Sequence, residues 1–131
     1  MHEIAVAVIV SRGQVLLAHR SPDREWYPDC WALIGGHIEA GESPEETITR
    51  ECREELTIQI AKPCRVEFDF ADSAVVLHTF LVDQWSGDPS NAAPHEHDAL
   101  TWFDASSLLE LRLAHPGLGV WLANLLAAAS E

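Results

Sequence analysis

The order of patterned segments predicts an α+β or layered α/β/α domain. Three observations carry this. Apolar, β-branched runs open the chain. A capped and strongly acidic helix signal follows before its middle. Further strand-like runs then lead to a last apolar, helix-forming segment near the C-terminus. The chain has 131 residues, and 47% of them are hydrophobic, which predicts one domain over 1–131 with a real core.

Glu3 to Ser11 is β-branched and apolar and predicts a strand. Arg12-Gly13-Gln14 reads as a tight turn and Val15 to Arg20 as the hairpin partner. Ser21 to Cys30 is polar with two prolines, hence a loop. Trp31 to Ile34 predicts a short strand that feeds a glycine-rich turn at Gly35-Gly36. Ser43 is a good N-cap, Pro44 suits the first helical position, and Glu46 completes a capping box. Glu45 and Glu46 also favour the positive end of a helix dipole. These signals predict a helix from Pro44 to Leu56 that buries Ile48, Cys52 and Leu56.

Two more strands are predicted at Arg65 to Phe70 and Ala74 to Trp85, with a turn at Ala71-Asp72-Ser73. Ser86 to His97 is rich in Pro, Ser, Asn and Gly and reads as a loop. Ala99 to Phe103 predicts a last strand. Asp104 or Ser106 is placed to cap a short helix through Leu111. The final helix is predicted from Pro116 to Ala129, with Val120, Trp121, Leu125 and Ala128 on the sheet-facing side. There is no internal repeat, low-complexity tract or linker.

The formal net charge is −13, which argues against a general binder of polymeric nucleic acid or of membrane surfaces. It does not exclude a small anionic substrate, because a bound metal reverses the local field. Cys30, Cys52 and Cys64 lack metal-type spacing and read as reduced thiols of an intracellular, cytoplasmic protein. No signal peptide pattern opens the chain, and the longest apolar run near its end, Leu125 to Ala129, is too short to span a bilayer.

The richest stretch is residues 36–58. Glu51, Glu54 and Glu55, at i, i+3 and i+4, stand on one helix face. Like charges so placed repel unless a cation sits among them. Hard divalent cations prefer oxygen ligands, and Mg²⁺ is usually held by a few carboxylates together with substrate phosphates. An acidic helix face is more often just solvated. Here Gly36 and Glu42 stand upstream at fixed spacing.

That spacing resembles the Nudix hydrolase signature at Gly36, Glu42, Arg50, Glu51, Glu54, Glu55 and Ile58. Cys52 takes an aliphatic position. Thr57 stands where the family has glycine, and Ile34 where a proline often precedes the two glycines. The resemblance implies the Nudix fold, a mixed sheet between helices, over essentially the whole chain. It also implies hydrolysis of a nucleoside diphosphate linked to another group, by water attack on phosphorus with Mg²⁺, or Mn²⁺ as a substitute. By the same resemblance Glu51, Glu54 and Glu55 are the metal ligands, joined by the backbone carbonyl of Gly35. Glu42 and Arg50 hold the loop against the helix.

Glu96, within Pro94-His95-Glu96-His97-Asp98, is the candidate for one more carboxylate, as metal ligand or general base. Arg20, Gly36 and His37 are placed as substrate contacts, Arg20 on a phosphate. Trp26 and Tyr27 are either core or a stacking surface for a base, and His115 either a surface residue or a contact to a base edge. A separate zinc site at residues 95–98 is disfavoured, because alternate residues of a strand face opposite sides.

The reading most similar to this chain is a small MutT-like member that cleaves a nucleoside triphosphate, ordinary, oxidised or non-standard, to the monophosphate and pyrophosphate. Family members occur as monomers and homodimers. An ADP-ribose or nucleoside diphosphate-sugar substrate is the alternative within enzymes. A non-catalytic nucleotide-binding domain and an interaction domain with an acidic helix are the alternatives outside them. Thr57 raises a local question, since a β-branched residue at positive φ strains the backbone.

Overall fold

The computed structural model describes residues 2–68 and 74–129. Its elements in chain order are β1 (His2–Ser11), β2 (Gln14–Arg20), β3 (Trp31–Ala32), β4 (Ile34–His37), α1 (Pro44–Leu56), β5 (Gln59–Ile60), β6 (Cys64–Val66), β7 (Val75–Val82), β8 (Trp85–Ser86), β9 (His97–Phe103), α2 (Ala105–Leu108) and α3 (Leu118–Ala129). No helix among the described residues is long and apolar enough to cross a membrane.

β1 organises the sheet. One edge runs parallel to β7, from His2 opposite Val75 to Ile9 opposite Val82. The other edge pairs antiparallel with β4, Ile4 opposite His37 through Ala7 opposite Ile34, and then turns into the hairpin with β2 at Val10 and Val15. β2 carries β3 and β9 antiparallel, and β6 adds to β7. One parallel pair among antiparallel ones makes the sheet mixed.

Helices cover both faces, so β1 and β2 read as nearly continuous apolar runs rather than alternating ones. Ala5, Ala7, Ile9, Leu16 and Ala18 pack with Ile48, Cys52 and Leu56 of α1. Val6, Val8, Val15 and Leu17 pack with Leu108, Leu118, Leu122 and Leu126 on the opposite side. The layers are α/β/α, as the segment order predicts.

Several boundaries differ from the sequence reading. Gly35 and Gly36 do not form a turn; they lie within β4, where a Cβ at Gly35 would run into the β1 backbone and one at Gly36 into the Glu51 carboxylate of α1. The strand expected over Ala74 to Trp85 ends at Val82, and Trp85–Ser86 pairs instead with Gln59–Ile60 in a two-stranded ribbon. The strand expected over Arg65 to Phe70 is Cys64–Val66 where described; Asp69, Phe70 and the turn at Ala71-Asp72-Ser73 lie outside the described residues. The last strand begins at His97, and α2 is shorter than expected, capped by Asp104, whose side chain accepts from the Ser107 amide. α3 begins at Leu118, and its buried face is Leu118, Leu122 and Leu126; Val120 is 58% exposed and Ala128 is also exposed. The segment is apolar nearly all round, so its periodicity did not single out one face.

α1 forms as its caps dictate. Ser43 accepts from the Glu46 amide, and the Glu46 carboxylate accepts from the Ser43 amide at 2.9 Å. The helix ends at Thr57 in the left-handed conformation, φ 60 and ψ 30, with its amide donating to the Arg53 carbonyl at 3.1 Å. The Thr57 hydroxyl lies 2.9 Å from that of Ser90. Relief of the strain, roughly 1–3 kcal/mol, is set against the freer unfolded chain of glycine and the lost hydroxyl contact. Thr57→Gly is therefore expected to leave stability unchanged or raise it by about 1 kcal/mol. Denaturant unfolding reads this out, and a clear loss would show the turn to depend on the Thr57–Ser90 contact.

Candidate active site

Three elements converge. β4 brings Gly35, Gly36 and His37 alongside β1, α1 crosses beneath with its carboxylates, and the segment before β9 folds back onto the end of α1. Gly36 lies directly over Glu51: a Cβ there would sit 2.6 Å from the Glu51 Oε1. At Gly35 a Cβ would collide with the Ala5 carbonyl oxygen.

Arg50 ties this together. Its Nε donates to Glu42 Oε2 at 2.7 Å and its Nη2 to Glu42 Oε1 at 3.0 Å, a two-pronged pair. Its Nη1 reaches Glu51 at 2.9 Å and Glu54 at 3.2 Å, and its Nη2 also reaches the His37 carbonyl at 3.3 Å. Hydrogen bonds from Arg50 and Thr47 hold the Glu42 carboxyl down to about 2. One guanidinium thus fixes the loop before α1, the strand end and the acidic face relative to one another.

The three glutamates are not equivalent. Glu54 is exposed, Glu51 is mostly covered, and Glu55 is 5% exposed. Burial, and then the neighbouring Glu51 charge, pushes the Glu55 carboxyl up to about 10. Burial likewise raises Glu51. Glu55 Oε1 lies 3.2 Å from His97 Nε2, while no donor among the described residues reaches Oε2. Its neighbour is the Glu51 carboxylate, so the two must share a proton or a cation. Paired carboxylates with an orphaned buried oxygen fit a hard divalent ion.

Glu96 joins this cluster, with ligand atoms of Glu55, Glu96 and His97 all within 4.8 Å of one another. It also pairs with Arg24 at 3.4 Å. The other two members of the 95–98 run go elsewhere: His95 is exposed, and Asp98 accepts from His19 Nδ1 at 2.7 Å. The sequence reading weighed His97 only within the 95–98 run that it disfavoured as a zinc site, and it did not single out Arg24. A histidine beside the candidate Glu96 was the signal for His97; Arg24 sits in an irregular loop and carried none.

A cavity of about 280 Å³ opens beside the glycines, lined by Arg20, Arg24, Trp26, Tyr27, Gly35, Gly36, His37 and His115, with Ile4, Val6 and Leu33 among its apolar walls. Trp26 is 60% exposed, and Tyr27 meets the His115 ring edge-on at 4.8 Å. Arg20 donates from Nη2 to the Trp26 carbonyl at 2.7 Å and from Nε to that of Tyr27 at 3.1 Å. Its fork therefore pins the loop that carries both rings, while its side chain still borders the cavity. A wider open concavity lies along the start of α1, ringed by Glu39, Glu42, Glu45 and Glu46, whose charge repels an anion.

The family model described as NUDIX domain matches residues 1–125. The chain belongs to the Nudix family. It is 45% identical over 122 residues to "Nucleoside triphosphatase NudI" of Enterobacter sp. (strain 638), covering 84% of this chain and 86% of that one. It is 32% identical over 117 residues to "CTP pyrophosphohydrolase" of Escherichia coli (strain K12), covering 87% and 84%. A MutT NUDIX hydrolase from Burkholderia pseudomallei superposes with a TM-score of 0.76 at 28% identity over 94% of this chain and 95% of that one. The fold is the Nudix fold, and the chain is a hydrolase of pyrophosphate bonds, in a family that generally acts on small nucleotides and uses divalent metal ions.

Proposed function

We propose that this Nudix hydrolase cleaves a nucleoside triphosphate, ordinary, oxidised or non-standard, to the monophosphate and pyrophosphate in a Mg²⁺-dependent reaction. The observation that carries the reading is the buried Glu55 Oε2, without a donor among the described residues and with Glu51 and Glu96 as charged neighbours, while Gly36 over Glu51 and Arg24 beside Glu96 line the adjoining aromatic-walled cavity. The relatives named nucleoside triphosphatase and CTP pyrophosphohydrolase support the substrate class.

Glu51, Glu54, Glu55 and the Gly35 carbonyl would hold the ion, with Glu96 as a further ligand or as the base. Such an ion supplies charge neutralisation for the phosphoryl oxygens and a lowered pKa for a nearby water. The rest of the work falls to the chain. Glu96, at its carboxylate, takes the proton from the water that attacks phosphorus, and the anhydride oxygen leaves with the pyrophosphate. Gly36 and His37 line the path of the phosphates. Trp26 and Tyr27 offer stacking faces to the base, and Arg24 supplies a positive charge beside Glu96.

A panel of nucleoside triphosphates, oxidised nucleotides, ADP-ribose and nucleotide sugars, incubated with Mg²⁺ and read by product mass, tests this. Monophosphate plus pyrophosphate from a triphosphate, abolished by EDTA and strongly reduced by Glu54→Gln, is the expected result. Cleavage confined to ADP-ribose or nucleotide sugars, or nucleotide binding without turnover, would overturn it. Arg20→Lys offers a separate check on the base side. A lysine cannot make the fork to two carbonyls. KM is expected to rise about 10-fold with kcat little changed, and steady-state kinetics would show it.

A further inference from the structure

The environment of Glu55 depends on one buried neighbour from β9. His97 opens β9 and is 5% exposed. Opposite it, the β2 register shifts between His19 and Arg20, and such a bulge re-aims the side chains around it. The segment before β9 is fastened to the end of α1: the Ser90 amide donates to the Leu56 carbonyl at 3.0 Å and the Ala92 amide to the Glu55 carbonyl at 2.9 Å. Asn91 then donates from Nδ2 to the His97 carbonyl at 2.7 Å. His97 Nε2 is thereby held 3.2 Å from Glu55 Oε1. The other charged groups around this pair are Glu51 on α1, Glu96 in the same segment, Asp98 on β9, and Arg20 and Arg24 from β2 and the loop after it.

We propose that His97 is a positioning residue: its Nε2, in ion-pair contact with Glu55 Oε1 at 3.2 Å, keeps that oxygen in place and leaves Oε2 turned over to a divalent cation. This rests on the metal-binding reading given under Proposed function. A carboxylate with both oxygens free to rotate would have to be ordered each time an ion binds. One oxygen fixed by a buried imidazole removes that freedom beforehand. Groups that orient a metal ligand in this way are worth about 10–100-fold in metal affinity. The ring nitrogen faces Glu55 Oε1 at 3.2 Å, and hard cations take oxygen ligands, so His97 acts through Glu55 rather than as a ligand.

The test is Mn²⁺ affinity, followed by the electron paramagnetic resonance of the free ion, in the whole chain without nucleotide. His97→Phe keeps a ring and removes the donor; His97→Gln keeps an N–H donor at a similar reach. The Phe variant is expected to bind Mn²⁺ about 10–100-fold more weakly, and the Gln variant within about 3-fold of the unaltered protein. His97→Leu replaces the Phe variant if that one does not fold. Undiminished affinity in the Phe or Leu variant would overturn the proposal. So would an equal loss in the Gln variant, which would make the ring's shape and not its N–H the thing that matters. If the unaltered protein binds no Mn²⁺, the metal-binding reading itself fails, and the role of His97 with it.

Discussion

Glu54→Gln is expected to lower turnover by on the order of 10²–10³-fold and to leave the melting temperature within about 2 °C. The two halves of this expectation come from one fact. Glu54 is 59% exposed, and its ion pair is to Arg50 at 3.2 Å, a guanidinium already engaged by Glu42 and Glu51. The fold loses almost nothing with that charge. On the proposed reading the chemistry loses one of the three carboxylates that would hold the ion. Steady-state rates and a thermal scan on the same preparation check both, and near-normal turnover would sink the site.

Glu55→Gln separates stability from function more sharply. In the metal-free protein the Glu55 carboxyl is pushed up to about 10, chiefly by burial and then by Glu51. The folded state therefore keeps a proton that the unfolded chain releases above its ordinary carboxylate pKa. Stability contributed by this group is full below about pH 4 and is lost steadily as pH rises toward 10. A glutamine is already neutral and feels none of that loss. In EDTA the variant is expected to melt no lower than the unaltered protein at pH 8, with the difference closing or reversing toward pH 5. Added Mg²⁺ should raise the melting temperature of the unaltered protein and not of the variant, since a ligand stabilises only the state that binds it. Two thermal scans, with and without Mg²⁺, decide it.

The fold was legible where a local signal agreed with the buried pattern. The capping box at Ser43 and Glu46 and the spacing of Ile48, Cys52 and Leu56 gave α1 to the residue. Strand β1 announced itself because both its faces are covered. The ribbon of Gln59–Ile60 with Trp85–Ser86 did not, since two-residue strands carry no period and exist only through a partner far along the chain. The placement of Glu51, Glu54 and Glu55 on one helix was legible from their spacing. The arrangement around Glu55 was not, because the alternation rule for strands was applied to residues 95–98, yet β9 begins only at His97. Glu96 precedes it in a turn, where both the Glu96 and His97 amides donate to the Ala93 carbonyl, so the two side chains can reach the same carboxylate. Thr57 shows the converse. The sequence marked the helix end as a place of strain, and the chain takes the left-handed turn there without glycine.

Gly35→Ala and Gly36→Ala are expected to fail in different ways, although the residues are neighbours in one strand. At Gly35 the added methyl would meet backbone: the Ala5 carbonyl oxygen, and the Val6 Cα at 2.8 Å. Neither can step aside without opening the β1–β4 pairing, in which Gly35 sits opposite Val6 and Gly36 opposite Ala5. Because β1 also anchors β7 and turns into β2, the damage spreads through the sheet. A loss of about 3 kcal/mol or more is expected, the upper end of what overpacking does, read as a melting temperature lower by roughly 10 °C or more. At Gly36 the methyl would meet a side chain instead, 2.6 Å from Glu51 Oε1 and 2.8 Å from its carboxyl carbon. A carboxylate can swing away, so stability is expected to fall by only about 1 kcal/mol. Swinging away removes Glu51 from beside Glu55 and pulls on the Arg50 contact at 2.9 Å. Turnover is therefore expected to fall by on the order of 10²-fold, with Mn²⁺ affinity falling alongside it. If Gly36→Ala instead proved as unstable as Gly35→Ala yet normally active, Glu51 would have no place in the site.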